Sequence, residues 1–146
     1  MPVIAPHTPD EWAAYYRLRY EVLRQPWGQP AGSEHANDDA APTTTHALLL
    51  SPEGHAMAVG RLHPASPTQG QVRFMAVAPH QQGQGLGRQV LTYLEAAART
   101  QGLEEVVLHS RQNAVPFYQR LGYAVVAPSH ILFGTIPHFL MRKSLA

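Results

Sequence analysis

"HQQGQGLGRQVLTYLEAAA", running from His80 to Ala98, is the stretch on which the reading of this chain turns. Glycines stand at alternate positions, 83, 85 and 87. Leu86, Val90, Leu91, Leu94 and Ala98 then recur at three- and four-residue intervals, the stripe of an amphipathic helix, and Gly102 ends it. A helix start carries unpaired amide N–H groups and partial positive charge. Glycine placed before it permits positive φ and a close approach to the backbone. "QGQGLG" can therefore form an anion cradle, or it can be a turn that needs glycine for its own geometry. The P-loop pattern is absent, because no lysine follows the glycines. The dinucleotide fingerprint is also unmatched, since Arg88 stands where its third glycine belongs.

Working outward, "VRFMAVA" before the glycines reads as a strand, and "HALLLS" and "AMAVGRLH", separated by "PEGH", read as a hairpin. "TPDE" at Thr8–Glu11 is a helix start with a capping box. From Gln25 to Thr45 the chain is rich in Pro, Gly, Ser, Asn and Asp and predicts a long loop with one short helix. Downstream, "EEVVLHS" is a nearly continuous apolar strand suited to the centre of a sheet. "AVPFYQRLGY" is a short helix ending at Gly122, and the tail reads as two strands around a loop containing Gly134 and Pro137. The order is helix, loop, three strands, helix, strand, helix, two strands, with no internal repeat. This predicts a mixed α/β domain with antiparallel hairpins and a central βαβ unit.

The 146 residues suit a single domain, 1–146, able to bury a core without staples. The absence of cysteine excludes disulfides, thiol nucleophiles and thiolate metal sites. A net charge of +1 without a basic block gives no reason to expect nucleic acid or an anionic membrane as partner. No apolar run is long enough to span a bilayer, and the N-terminal residues lack the regions of a signal peptide. A cytoplasmic location is the expectation.

"VRFMAVAPHQQGQGLGRQVL" resembles the acyl-CoA-binding motif of the GNAT superfamily of N-acyltransferases, in which a strand and short loop lead into Q/R-x-x-G-x-G/A at a helix start. Gln82, Gly85 and Gly87 fill that pattern in register. A second family motif, "AVPFYQRLGY", lies downstream with Tyr118 and Gly122 at the expected spacing. The element order resembles the family's over nearly the full chain. The resemblance implies a twisted, mostly antiparallel mixed sheet of six to seven strands, flanked by about four helices and splayed at an acyl-CoA cleft. It implies acetyl-CoA as co-substrate, with the pantetheine arm pairing near Met75, Ala76 and Val77. The amides of Gln82, Gly83, Gln84, Gly85, Leu86, Gly87 and Arg88 would surround the pyrophosphate.

The activity so implied is acetyl transfer to a primary amine by direct attack, with no covalent enzyme intermediate. Such chemistry needs a neutral amine, an oriented thioester and a proton for the leaving thiolate. By resemblance Tyr118 is the general acid, and a phenol keeps its proton at neutral pH; the other reading is a packed tyrosine with a locally bonded hydroxyl. Many relatives carry a glutamate base on the strand before the glycines, but this strand offers Arg73, which accepts no proton. His138, His109 and His63 are the base candidates, and an amine of low pKa would need none. Counting back from Ala114, the slot where many relatives hold asparagine has Arg111, and Asn113 lies two residues on as a candidate cofactor contact. Trp27 is read either as a wall of the acceptor site or, preferably, as a core anchor. Glu34, Asp38 and Asp39 either attract a cationic amine or are solvated. No metal site is expected, because no H-x-x-x-H or H-E-x-x-H spacing occurs. The acceptor is a small-molecule or peptide amine, and a homodimer is a further expectation from family habit. The competing function is a non-catalytic acyl-CoA-binding or sensing module.

Overall fold

The computed structural model describes residues 2–146. Helix α1 (Pro9–Leu23) starts where its capping box places it: Thr8 Oγ accepts from the Glu11 amide at 3.1 Å, and Glu11 Oε1 accepts from the Thr8 amide at 3.1 Å. The long connection that follows contains one 3-10 turn, Gln25–Trp27, and reaches β1 (Thr45–Leu50). A hairpin joins β1 to β2 (Ala56–Pro64), and a second joins β2 to β3 (Gln69–Val77). A 3-10 turn over Pro79–Gln81 and the glycine segment lead into α2 (Leu86–Thr100). Then come β4 (Glu105–Arg111), a 3-10 turn at Gln112–Ala114, α3 (Val115–Arg120), β5 (Ala124–Leu132) and β6 (Ile136–Ser144).

One six-stranded sheet runs in the order β1-β2-β3-β4-β6-β5. Among the described residues only β3 and β4 pair in parallel, across the α2 crossover; every other neighbouring pair is antiparallel. Strand alternation sorts side chains to two faces. Ala47, Leu49, Ala58 and Leu62 meet the stripe of α2, where Val90, Leu91 and Leu94 are fully buried. Each such side chain contributes about 1.5–3 kcal/mol of burial. Leu48, Val59 and Ala76, pointing the other way, meet Tyr15 and Leu18 of α1. Helix α3 joins the α2 side through Tyr118.

The element order and mixed sheet match the sequence expectation, with three α-helices and three 3-10 turns flanking six strands among the described residues. One placement differs. Pro137 lies within β6, opposite Ile131, and the loop is confined to residues 133–135. Pairing of β6 with β4 ends at His138. At Pro137 that side of β6 has no strand partner, so a residue without an N–H is tolerated there.

Candidate active site

The parallel pairing of β3 with β4 stops early. It joins Gln69–Val72 to Glu105–Leu108 and goes no further, whereas β4 continues beside β6 as far as Arg111 opposite His138. The cause lies in β3. Phe74 adopts φ +58°, and the register against β2 slips between Val59 and Arg61, as a bulge requires. A non-glycine residue with positive φ costs on the order of 1–3 kcal/mol unless its surroundings hold it. Here four guanidinium groups surround the ring: Arg19 lies 4.0 Å from its centroid, Arg73 4.6 Å, Arg61 5.4 Å and Arg24 5.6 Å. Cation–π attraction to the half-buried ring favours that arrangement. Beyond the bulge, β3 and β4 diverge around a cavity of about 230 Å³.

At the mouth of α2 the three glycines have different tasks. Gly83 and Gly85 take φ +81° and +77°, and a Cβ at either would meet open space. Gly85 is the N-cap, without a side-chain capping bond. The first amide of the helix to be satisfied is that of Gln89, which donates to the Gly85 carbonyl at 3.2 Å. The amides of Leu86, Gly87 and Arg88 donate to no protein acceptor among the described residues. Gly87 instead answers to packing, since a Cβ there would lie 3.1 Å from Phe117 Cζ. Unpaired amides, positive-φ glycines and open space together fit a diphosphate. The backbone freed where β3 leaves β4, at Met75, Ala76 and Val77, fits an extended arm carrying amide groups.

Tyr118 lines the cavity from α3, 7% exposed, and its hydroxyl has no hydrogen-bond partner among the described residues. The ring is fixed edge-on against Phe117 and Tyr123. Burial raises the phenol well above its usual pKa, outweighing the opposing charge of Arg111, so its proton stays on across the neutral range.

His138 and His109 both line the cavity. His138 Nδ1 is 2.9 Å from the Ile136 carbonyl; a carbonyl only accepts, so Nδ1 carries the proton and Nε2 keeps its lone pair. Burial is the main force holding His138 below the ordinary imidazole pKa, and the same holds for the more exposed His109. His130 completes the group, stacked on His138 at 4.5 Å and 5.4 Å from His109. His63 lies elsewhere, accepting from Arg61 Nη2 at 3.0 Å. Arg111 faces the cavity and sits over the Trp27 ring at 5.6 Å. Asn113 is exposed in its 3-10 turn and does not line it. Trp27 forms part of the cavity wall rather than a core anchor.

Asp38 and Asp39 are engaged by buried arginines rather than free to meet an amine, although the Asp38 side chain stays 45% exposed. Asp38 holds Arg61 with both oxygens, at 2.6 and 3.0 Å, and Asp39 bridges Arg61 and Arg19 at 2.8 Å each. Both guanidinium groups are fully buried. Arg19 donates onward to Tyr15 Oη at 2.8 Å, and Tyr15 donates to His46 Nδ1 at 2.7 Å. His46 Nε2 donates to the Asp39 carbonyl at 2.8 Å. This ring of bonds ties α1 and β2 to the loop whose 3-10 turn presents Trp27. Sequence reasoning missed that pairing, and it missed His130, Arg24 and Phe74 as parts of the site. For Phe74 one signal was present: a large aromatic beside Arg73 in the strand expected to split.

Residues 12–123 match the acetyltransferase (GNAT) family. The Bacillus subtilis (strain 168) protein YyaT is 30% identical over 99 residues, 68% of this chain and 66% of its own length. Among solved structures, a candidate N-acetyltransferase from Lactobacillus plantarum superposes with TM-score 0.83 at 28% identity, covering 99% of this chain and 97% of that one. An acyl-CoA N-acyltransferase from Pseudomonas aeruginosa gives TM-score 0.80 at 27% identity, covering 97% and 96%.

Proposed function

The chain belongs to the GNAT acetyltransferase family and is an acyltransferase, and from that premise we propose that it moves an acetyl group from acetyl-CoA to a primary amine by direct attack. Residues 1–146 act as one catalytic domain in this reading. The observation that carries it is the unpartnered Tyr118 hydroxyl, facing the cavity where β3 and β4 part.

Bound acetyl-CoA supplies the thioester whose carbonyl carbon the amine nitrogen attacks. The amides of residues 82–88 hold the diphosphate, with Leu86, Gly87 and Arg88 at the positive end of α2. Residues 75–77 pair with the pantetheine arm, which the divergence of β3 from β4 admits. His138 Nε2 takes the proton that the amine must lose, and His109 is the second candidate for that task. As the C–N bond forms and the C–S bond breaks, Tyr118 gives its proton to the departing sulfur. Burial of the phenol keeps that proton in place beforehand. No side chain forms a covalent intermediate.

The test is release of free thiol from acetyl-CoA on addition of primary amines. Amine-dependent release supports the reading. Binding of acetyl-CoA without release to any amine overturns it in favour of an acyl-CoA-binding or sensing module.

A further inference from the structure

The charged groups around the cavity are all of one sign. Arg24, Arg73 and Arg111 line it together with His109, His130 and His138, and among the described residues no aspartate or glutamate does. The nearby carboxylates of Asp38 and Asp39 are held by Arg61 and Arg19. Arg24 spends Nε and Nη1 on the carbonyls of Ser33 and Leu23, at 3.1 and 2.9 Å. Arg73 and Arg111 have neither a hydrogen-bond nor an ion-pair partner among the described residues, although each guanidinium has five donors. Arg111 is held in place through the Trp27 face, and Arg73 through Phe74. Residues 82–88, the cradle proposed for the diphosphate, do not line this cavity, so that anion does not account for its arginines.

Resting on the acetyl-transfer reading above, we infer that the acceptor is an amine that also carries a carboxylate or phosphate, gripped by Arg73 and Arg111. A guanidinium fork matches either group with paired N–H donors. The same cations repel polyamines and other multiply charged bases. They also favour the neutral form of the attacking nitrogen, because a nearby positive charge lowers an ammonium pKa.

The experiment measures thiol release from acetyl-CoA with matched pairs of acceptors. Amino acids are set against their amides as the carboxylate arm. Phosphoethanolamine against ethanolamine, and glucosamine 6-phosphate against glucosamine, form the phosphate arm; spermidine is the cationic control. The expected result is kcat/KM at least tenfold higher for the anionic member in one arm, and no release with spermidine. Arg73→Gln and Arg111→Gln should each erase most of that preference by raising KM for the anionic acceptor, leaving the acetyl-CoA melting shift intact. Preference for neutral or polycationic amines overturns the inference while leaving acetyl transfer standing, as does loss of acetyl-CoA affinity in both variants. If no amine releases thiol, the transfer reading fails, and Trp27 emission in a Trp12→Phe background then decides the cavity's preference. Saturable change with phosphoethanolamine or an amino acid at constant ionic strength, abolished by Arg111→Gln, supports an anion site. An unchanged spectrum with every anionic amine overturns it.

Discussion

Asp39 and Arg61 meet through a 2.8 Å contact between Oδ1 and Nη1, with the arginine side chain fully buried and the aspartate 8% exposed. Oδ2 of the same carboxylate accepts from Arg19 at 2.8 Å, from Tyr16 Oη at 2.9 Å and from the Ala36 amide at 3.0 Å. Asp39 is thus the countercharge shared by two buried cations. Breaking a buried pair from one side costs about 3–5 kcal/mol, because the remaining charge stays desolvated. Asp39→Asn should therefore lower unfolding stability by that order. Asp38, whose side chain is 45% exposed, belongs nearer the surface range of about 0–1 kcal/mol. Urea titration of the two variants checks the ranking, and equal losses would refute it.

Stability should fall in two stages on acidification. Burial depresses His46 below its ordinary value of 6.5, so its neutral form is the one the fold accommodates. That contribution is complete above pH 6.5 and is lost as pH drops through the lower folded value. His63, His109 and His138 are depressed in the same direction. Arg61, Arg19, Tyr16 and the Ala36 amide together outweigh burial at Asp39 and hold its carboxyl far below 3.8. Its contribution is present above about pH 4 and disappears only in stronger acid. Urea midpoints from pH 8 to 3 should show both stages, with His46→Gln flattening part of the upper one.

Tyr118→Phe removes only the hydroxyl from a ring held by Phe117 and Tyr123. The acetyl-CoA melting shift should persist while kcat falls by about 10²–10⁴, the usual weight of a general acid. Unchanged turnover would exclude Tyr118 from proton delivery.

If His138 is the base, kcat/KM rises with pH along a limb whose midpoint lies below 6.5, since burial disfavours its protonated form. His138→Gln should remove that limb, and His109→Gln should leave it. The reverse pattern assigns the task to His109. Persistence of the limb in both variants points to neither.

The path of the chain was legible in "QGQGLG" and in the strand and helix periods, because those signals are local. Capping at Thr8 and the α2 stripe needed no distant information, whereas the parting of β3 from β4 came only as an implication of the family resemblance. The task of Gly87 was less so, since only the tertiary approach of Phe117 distinguishes it from Gly85. His130 joins His138 because β5 slips register between Pro128 and Ile131, and a one-residue slip reverses the face a side chain occupies. The partners in the Asp38–Arg61 and Arg19–Asp39 pairs lie 23 and 20 residues apart in sequence. No spacing rule encodes such pairs, so the carboxylates could be read as solvated.

Thermal unfolding with and without acetyl-CoA, for the native chain and for Gly85→Val, shows whether the glycine segment before α2 holds the cofactor. A Cβ at Gly85 meets nothing within 4 Å, so this substitution acts on the φ +77° backbone that shapes the cradle. The native chain should be stabilised by about 2.7 kcal/mol when acetyl-CoA is at a hundredfold excess over Kd. Gly85→Val should still unfold cooperatively but gain little from the ligand. No shift in the native chain, or an undiminished shift in the variant, would contradict that role.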